Sequence, residues 1–372
     1  MEHLTKTKSQ IQEEALQTIL PHNNAGVEIS MGVGKTLLGL MHMEEISKTI
    51  HKPRFLVVAP KVSIFDSWKM DAVKHDYAHL LGSITFTTYL SLNKESYDYD
   101  VIYLDECHSL KNSHDYYLTM ALRQNIIILG LTGTYPKYNK GEKGIMCNKF
   151  CPKVYEYKTD SAVDDKILND YRIYVHLIDL SETNDLEVKT GSKTWKTSER
   201  KNYNYWTTRI DQEDKPKNKQ ILRVMRMRAM MDYTSKEIKV LELLARRKTK
   251  TLLFANTQAQ ADRLSPHSYH SNNPKSKENL ELFKKGDIEL LSAVEQLSEG
   301  VNIPDLKSGI IMHAYSNNRK ASQKLGRLLR LNPDDTAGVH ILCYKNTVDE
   351  TWVENALAHL NSDKIIWLDY QS

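Results

Sequence analysis

The segment VEISMGVGKTLLGL, residues 27–40, carries side chains that could bind a phosphate chain. Gly32 and Gly34 permit a tight turn that aims backbone N–H groups at an anion. Lys35 can then reach phosphate oxygens, and the Thr36 hydroxyl can ligate a divalent cation. The following residues have helical apolar spacing, so the anion would lie at a helix N-terminus.

This segment departs from the usual phosphate-binding pattern G-x-x-x-x-G-K-[ST] at one position. Ile29 stands where the first glycine is expected, and Val33 separates the two remaining glycines. Taken alone, the segment could be a strand–helix turn that contains GKT by chance. The choice between a phosphate-binding loop and a chance turn therefore depends on whether the sequence also contains the other residues of a hydrolytic site.

A carboxylate pair supplies that evidence. The apolar strand VIYLDECH ends in Asp105 and Glu106. One carboxylate can orient Mg²⁺, and the next can activate the attacking water. A helix N-cap with solvated acids is the alternative, and the preceding GKT loop argues against it.

Two series of short β-rich runs alternate with amphipathic helices and would position these residues. The first extends from Leu4 to about Tyr135, and the second begins at about Thr249. Such alternation predicts two α/β domains, each a doubly wound parallel sheet, with ligands at the carboxyl ends of the strands. We expect one domain over 1–165 and a second over 166–372.

The middle of the chain has a different character. Residues 137–157 resemble a loop-rich end to the first domain, and the alternating run at 167–180 predicts an edge strand of the second. Residues at about 181–232 are polar, basic and aromatic without a clear period, which indicates an inserted module.

Composition sets further limits. The 372 residues carry a net charge of +4, and the segment 189–250 has 18 Lys and Arg against 7 Asp and Glu. That segment therefore carries +11 and the remainder −7, which favours a polyanionic partner for the basic module. No apolar run approaches the ~20 residues needed to span a membrane, and the N-terminal segment has no apolar signal core, so we expect a cytoplasmic protein without membrane contact. Cys147 and Cys151, spaced C-x₃-C, favour reduced thiols over a zinc site.

Four motifs in order resemble those of superfamily 2 helicases and translocases, which have tandem RecA-like domains. They are ISMGVGKT, DECH at 105–108, LTGT at 131–134 and QKLGRLLR at 323–330. In the last, Gln323, Arg327 and Arg330 fall on one face of a helix. The family often lacks the first glycine of the phosphate loop, which accounts for Ile29.

The resemblance implies ATP and Mg²⁺ as cofactors and a role for each matched residue. Lys35, Asp105, Glu106, Arg327 and Arg330 would be catalytic, with Arg330 the arginine finger. Adenine would be read by Gln12, with Gln10 as the competing choice. The other implied ligands are Gly32, Val33, Gly34, Thr36 and Gln323 for the nucleotide, and Thr36 and Asp105 for the metal.

Weaker matches imply a nucleic-acid interface. VVAPKVSIFDSW and TFTTYLSL resemble motifs that face nucleic acid, and LSEGVNIPD carries the E-G-x-N core at Glu299, Gly300 and Asn302. The candidate contacts are Pro60, Lys61, Thr88, Thr257, Asn302 and Trp206. Cap or loop roles remain open for Thr88, Thr257 and Asn302. The aromatic residues of the basic module could stack on bases or form a small core of its own.

We therefore expect an ATP-dependent DNA helicase or translocase that moves on DNA and remodels forked or branched substrates. Its compact length resembles phage-encoded helicases of replication, recombination and repair, and a monomer on DNA is expected, with replication or recombination proteins as further partners. A duplex translocase without strand separation, an RNA helicase and a non-catalytic ATP-binding scaffold are the alternatives. The last would tolerate losing Lys35, Glu106 and Arg330, which are all present.

Overall fold

The computed structural model describes residues 5–30, 32–136, 141–190, 193–294, 303–313, 335–358 and 360–370. The chain divides into two compact units, one ending at Asp170 and the other beginning at Tyr171. Each unit is built on its own sheet.

The first unit contains a six-stranded sheet with helices between its strands. The strands are β1 (Asn24–Ile29), β2 (Phe55–Ala59), β3 (Ile84–Thr88), β4 (Val101–Asp105), β5 (Ile127–Thr132) and β6 (Lys153–Tyr157). The helices are α1 (Lys8–Ile19), α2 (Lys35–Thr49), α3 (Ser63–Lys74), α4 (Asp115–Arg123), α5 (Glu142–Phe150) and α6 (Thr159–Asp164). The order β3-β2-β4-β5-β1-β6 is parallel throughout.

The central strands of this sheet are apolar because both faces are covered. Every residue of β2 and β4 is buried, and separate apolar clusters pack on the two faces. The doubly wound parallel sheet predicted from the sequence is confirmed here. Because all strands run the same way, the residues that follow β1, β2, β3 and β4 lie at one edge of the sheet.

The loop-rich end expected for residues 137–157 is wrong for the described part of that segment, residues 141–157. Residues 142–150 form α5, and residues 153–157 form β6, which pairs in parallel with β1. Met146, Cys147 and Phe150 are the buried apolar residues of α5. Their one-and-four spacing is a helical signal that the surrounding lysines and glycines obscure.

The second unit contains a seven-stranded sheet. Its strands are β7 (Asp170–Ile178), β10 (Thr251–Phe254), β11 (Ser268–Tyr269), β12 (Leu290–Ala293), β13 (Ser308–Ile311), β14 (Thr336–Tyr344) and β15 (Ile365–Asp369). Its helices are α9 (Ser235–Ala245), α10 (Gln258–Leu264), α11 (Ser276–Lys285) and α12 (Val348–Leu357). The order is β11-β12-β10-β13-β14-β7-β15, and the five described strand pairings are parallel.

The strand predicted at 167–180 exists as β7, but it does not lie at the edge of the sheet. Strand β15 pairs with it in parallel and takes the edge position. A hydrogen bond of 2.9 Å between His176 Nδ1 and the Tyr370 hydroxyl adds a side-chain link. The run IIWLD that forms β15 is distant from β7 in the sequence. Local spacing therefore does not reveal that the two strands pair.

The basic module at 181–232 has regular structure. Strands β8 (Leu186–Thr190) and β9 (Lys193–Thr197) form an antiparallel hairpin. Helices α7 (Glu199–Gln212) and α8 (Pro216–Met231) follow and pack on each other. The Ser198 hydroxyl caps α7 by accepting from Lys201 N, and Pro216 occupies the first turn of α8.

A buried ion pair lies at the core of the second unit. Lys236 on α9 is 1% exposed, and its Nζ lies 2.5 Å from Asp349 Oδ2 and 2.9 Å from the Met312 carbonyl oxygen. The Lys236 charge helps to hold the pKa of Asp349 below its ordinary value against the opposing effect of burial. The pair fixes α9 and α12 to the end of β13.

Candidate nucleotide-binding site

The phosphate loop connects β1 to α2 through glycines in the left-handed region. Gly32 has φ 91° and Gly34 has φ 103°, conformations that a side chain would strain. Lys35 is the first residue of α2. The N–H groups of the first helical turn have no intrahelical acceptors, so this end of α2 suits an anion.

Gln12 belongs to this loop. Its side chain is almost buried on α1, and Nε2 donates a 2.8 Å hydrogen bond to the Val33 carbonyl oxygen. A Cβ atom at Gly34 would collide with the same amide nitrogen. Gln10, the competing choice, is instead part of the capping box that Thr7 forms at the start of α1. Of the two glutamines, only Gln12 contacts the loop.

Strand β4 delivers the two carboxylates beside the loop. Asp105 is the last residue of β4, and Glu106 follows with φ 54°. Lys35 Nζ lies 2.8 Å from Glu106 Oε1, and both side chains are largely buried, at 13% and 15% exposed. The fold therefore brings together the lysine and acid that were predicted from two distant motifs.

Asp105 is held in a nearly closed environment. Trp68 Nε1 on α3 donates a 2.9 Å hydrogen bond to Asp105 Oδ2. Burial, and then the neighbouring Glu106 charge, raise the pKa of Asp105 to about 6, while Lys35 opposes the shift. A divalent cation at this carboxylate would favour its charged form, as expected of a metal ligand.

A hydroxyl links the DECH and LTGT segments. Thr132 Oγ1, at the end of β5, lies 2.6 Å from His108 Nδ1 and 3.3 Å from Glu106 Oε2. Its Oγ1 also accepts from the Thr134 backbone N–H at 3.1 Å. His108 and Thr132 were quoted within motifs but not proposed as site residues. Their polar side chains at the ends of apolar strands were the available signal.

Three of the proposed nucleic-acid contacts lie at the carboxyl edge of the first sheet. Pro60 and Lys61 follow β2, and Thr88 ends β3, where it pairs with Ala59. Lys61 is exposed, whereas Pro60 and Thr88 are partly exposed. Leu90, two residues beyond Thr88, is 89% exposed. Their contact with nucleic acid stays a prediction.

The second unit holds the remaining proposed contacts. The Thr257 hydroxyl caps α10 by accepting from Gln260 N, which is the structural role left open for it. Trp206 on α7 is partly exposed and packs edge-on against Tyr205, with ring centroids 5.1 Å apart. Asn302, Gln323, Arg327 and Arg330 lie outside the described residues, as do Glu299 and Gly300.

The aromatic residues of the basic module separate into two groups. Tyr203 is buried, and its hydroxyl accepts from the Val348 backbone N–H at 2.9 Å. Trp195 and Tyr205 are 47% and 52% exposed. Arg209 lies over the Tyr205 ring and donates to its hydroxyl. The core role therefore applies to Tyr203, and surface binding stays open for the exposed rings.

Comparison with known proteins places these motifs in context. The family model of the type III restriction enzyme res subunit matches residues 5–82, and that of the helicase conserved C-terminal domain matches 234–332. The chain is 24% identical over 368 residues to DNA 3'-5' translocase XPB2 of Sulfurisphaera tokodaii, covering 91% of this chain and 82% of that protein. A 100-residue segment is 32% identical to uncharacterized protein ML1624 of Mycobacterium leprae, covering 27% and 17% of the two chains.

These matches confirm the resemblance to superfamily 2 helicases and translocases. A solved structure of the same fold is the ATP-dependent type ISP restriction-modification enzyme LlaBIII bound to DNA, with TM-score 0.64 and 14% identity. The chain aligns over its whole length with 32% of that enzyme. A fragment described as a type I restriction enzyme HsdR subunit from Vibrio vulnificus has TM-score 0.60 and 16% identity, covering 99% and 69% of the two chains. The described helices include none with the length and apolar content needed to cross a bilayer.

Proposed function

We propose that this protein is an ATP- and Mg²⁺-dependent motor that moves on DNA and remodels forked or branched substrates. The observation that carries the proposal is the 2.8 Å pair between Lys35 and Glu106, next to the buried Asp105, at the carboxyl edge of a parallel sheet. A merely structural ion pair would not require the left-handed glycines of the adjacent loop.

The residues of the first unit have separable tasks. The N–H groups from Gly32 to Thr36 bind phosphate oxygens, and Gln12 supports the loop through the Val33 carbonyl. Lys35 exchanges its contact with Glu106 for one with the phosphates, which leaves the Glu106 carboxylate able to accept a proton from water. Asp105 and the Thr36 hydroxyl would hold Mg²⁺, which would neutralise charge at the phosphates when bound.

The Thr132 hydroxyl contacts the Glu106 carboxylate that takes part in this exchange. When Glu106 loses the contact with Lys35, the Thr132 hydroxyl and His108 remain within reach of the same carboxylate. Thr132 lies in the LTGT segment at the end of β5, and His108 lies in the turn that follows β4. We infer that this contact transmits the state of Glu106 to the end of β5. Arg327 and Arg330 are proposed as further phosphate ligands on sequence alone.

DNA is the favoured polymer because the related proteins are named as a DNA 3'-5' translocase and a DNA-bound restriction enzyme. The name of the first carries 3′ to 5′ movement to this chain as a proposal. Because that name is a translocase and not a helicase, translocation on duplex DNA without strand separation is kept as the second candidate function. An RNA helicase is the third candidate.

Steady-state ATP hydrolysis tests the motor assignment. We expect stimulation by single-stranded, duplex, forked and four-way DNA to exceed that by single-stranded RNA, with the branched forms most effective. Lys35→Ala should abolish the stimulated rate. Lys48→Ala is the matched control, because Lys48 lies at the other end of α2 in an exposed pair with Glu45. Stimulation by RNA alone would overturn the choice of polymer, and equal rates in wild type and Lys35→Ala would overturn the site.

Two further assays separate the candidate movements. Release of a labelled strand from a fork reports strand separation, whereas displacement of a triplex-forming strand from intact duplex reports translocation. We expect both activities from a remodelling helicase. Triplex displacement without fork unwinding would establish the duplex-translocase alternative instead.

A further inference from the structure

Three of the four cysteines meet in the first unit, although they are distant in the sequence. Cys107 directly follows Glu106, Cys147 lies on α5, and Cys151 caps the end of α5. All three are buried, and their sulfur atoms lie within 4.8 Å of one another. The sequence predicted at most a Cys147–Cys151 pair, because nothing local reveals that Cys107 completes a triangle.

The surrounding backbone keeps this triangle compact. Gly130 on β5 lies directly below it, and a Cβ atom there would approach Cys151 Sγ to 2.6 Å and Cys107 Cβ to 3.1 Å. Cys147 Sγ lies 3.4 Å from the Cys107 carbonyl oxygen. Met146, Phe150 and Leu110 belong to the same apolar cluster, and the Tyr135 hydroxyl donates a 2.7 Å hydrogen bond to the Cys151 carbonyl oxygen.

We propose that Cys107, Cys147 and Cys151 form a binding site for a single thiophilic d¹⁰ metal ion, with three-coordinate Cu⁺ as the best fit. Three sulfurs at about 2.3 Å from one ion lie about 4 Å apart, so small side-chain rotations close the observed triangle. Thiolates prefer soft ions such as Cu⁺ and Zn²⁺ over Mg²⁺ or Ca²⁺. Its sulfur ligands distinguish this site from the candidate Mg²⁺ site at Asp105, whose ligands are oxygen atoms.

Coordination number distinguishes Cu⁺ from Zn²⁺. Structural zinc is almost always held by four ligands. Within the described parts of the chain, no His, Asp, Glu or further Cys joins the three sulfurs as a fourth ligand. Cu⁺ is satisfied by three thiolates, and the burial of all three cysteines limits the access of oxidants to it.

An ion in this position would connect two parts of the first unit. Cys107 belongs to the turn that follows Glu106. The backbone of Glu106 has φ 54°. Cys147 and Cys151 hold the C-terminal end of α5. The ion would therefore fix the turn behind the carboxylate pair, independently of whether the protein hydrolyses ATP.

The test is metal retention by the reduced full-length protein. Anaerobic protein is loaded with Cu⁺ or with Zn²⁺ in separate samples, desalted, and assayed for metal per chain. We expect one Cu⁺ per chain in wild type and in Cys343→Ser, which removes the buried cysteine of the second unit. Cys147→Ser and Cys151→Ser should each lose the ion. Equal retention in all four proteins, or none in wild type, would overturn the proposal.

X-ray absorption on Cu⁺-loaded wild type provides a reading that needs no variant. We expect a first shell of three sulfur atoms, each at about 2.3 Å. A shell of nitrogen or oxygen atoms would overturn the site. Retention of Zn²⁺ in preference to Cu⁺ would overturn the three-coordinate assignment.

Discussion

Asp105→Asn should stabilise the protein at neutral pH although it removes a residue proposed as essential for hydrolysis. Burial and the adjacent Glu106 raise the pKa of Asp105 to about 6, from an ordinary value of 3.8. A difference of about two pH units between folded and unfolded states corresponds to about 3 kcal/mol against folding when the group is charged in both. Asparagine carries no charge, and its Oδ1 can still accept from Trp68 Nε1.

The sign of the effect fixes its pH dependence. At a pH below the pKa that Asp105 has in the unfolded chain, its carboxyl group is protonated in both the folded and the unfolded state. It then does not lower the free energy of unfolding. Between the unfolded and folded values the cost grows, and above about pH 6 it is complete. The stabilisation of Asp105→Asn should therefore reach about 2 to 3 kcal/mol at pH 7.5 and about half of that at pH 5.

Urea denaturation without nucleotide or divalent cation measures this difference. Asp165→Asn is the matched control, since Asp165 is equally buried in the same unit. Its two carboxylate oxygens accept from Lys6 N and the Tyr157 hydroxyl, so an amide loses one of these bonds and should destabilise the fold. A loss of stability in Asp105→Asn at pH 7.5, or a gain that does not change with pH, would refute the reasoning.

Three more predictions concern other parts of the structure. Gly34→Ala should lower the free energy of unfolding by about 1 to 2 kcal/mol, because the backbone of residue 34 is left-handed. The same substitution should weaken the binding of a fluorescent ATP analogue. Unchanged binding would contradict the loop geometry. Lys236→Met should cost about 3 to 5 kcal/mol in urea denaturation because Asp349 stays buried without its cation, and Lys236→Met/Asp349→Leu should recover much of this loss. Thr132→Val should reduce the ATP hydrolysis rate more than ATP affinity, because the hydroxyl contacts Glu106; equal losses in both would assign it a binding role.

The sequence was most informative where structure depends on neighbours along the chain. The strands β1 to β5 follow from short apolar runs, and the phosphate loop follows from glycines beside Lys35. The Lys35–Glu106 pair could also be anticipated, because parallel strands present their carboxyl ends at one edge. The domain boundary and the individual site roles stay predictions.

Tertiary contacts could not be read in the same way. Lys236 resembles an ordinary solvated residue of an amphipathic helix, yet it is buried against Asp349. Cys107 meets Cys147 and Cys151 only because β4 and the end of α5 are brought together by the sheet. The spacing of residues along the sequence predicts neither the contact between Lys236 and Asp349 nor the approach of Cys107 to the other two cysteines.

The basic module illustrates a middle case, in which the signal was present but weak. Tyr203 and Ile210 on α7 are both buried and lie seven residues apart, which is two helical turns. The many charges around them obscured that period. The helix buries Tyr203 and leaves Tyr205, two residues later, 52% exposed, so we expect the two rings to have different roles. Tyr205→Ala should therefore weaken binding of single-stranded DNA with little loss of stability, whereas Tyr203→Ala should destabilise the second unit. Fluorescence anisotropy and thermal unfolding of the two variants measure the contrast, and equal unfolding temperatures would contradict the separation.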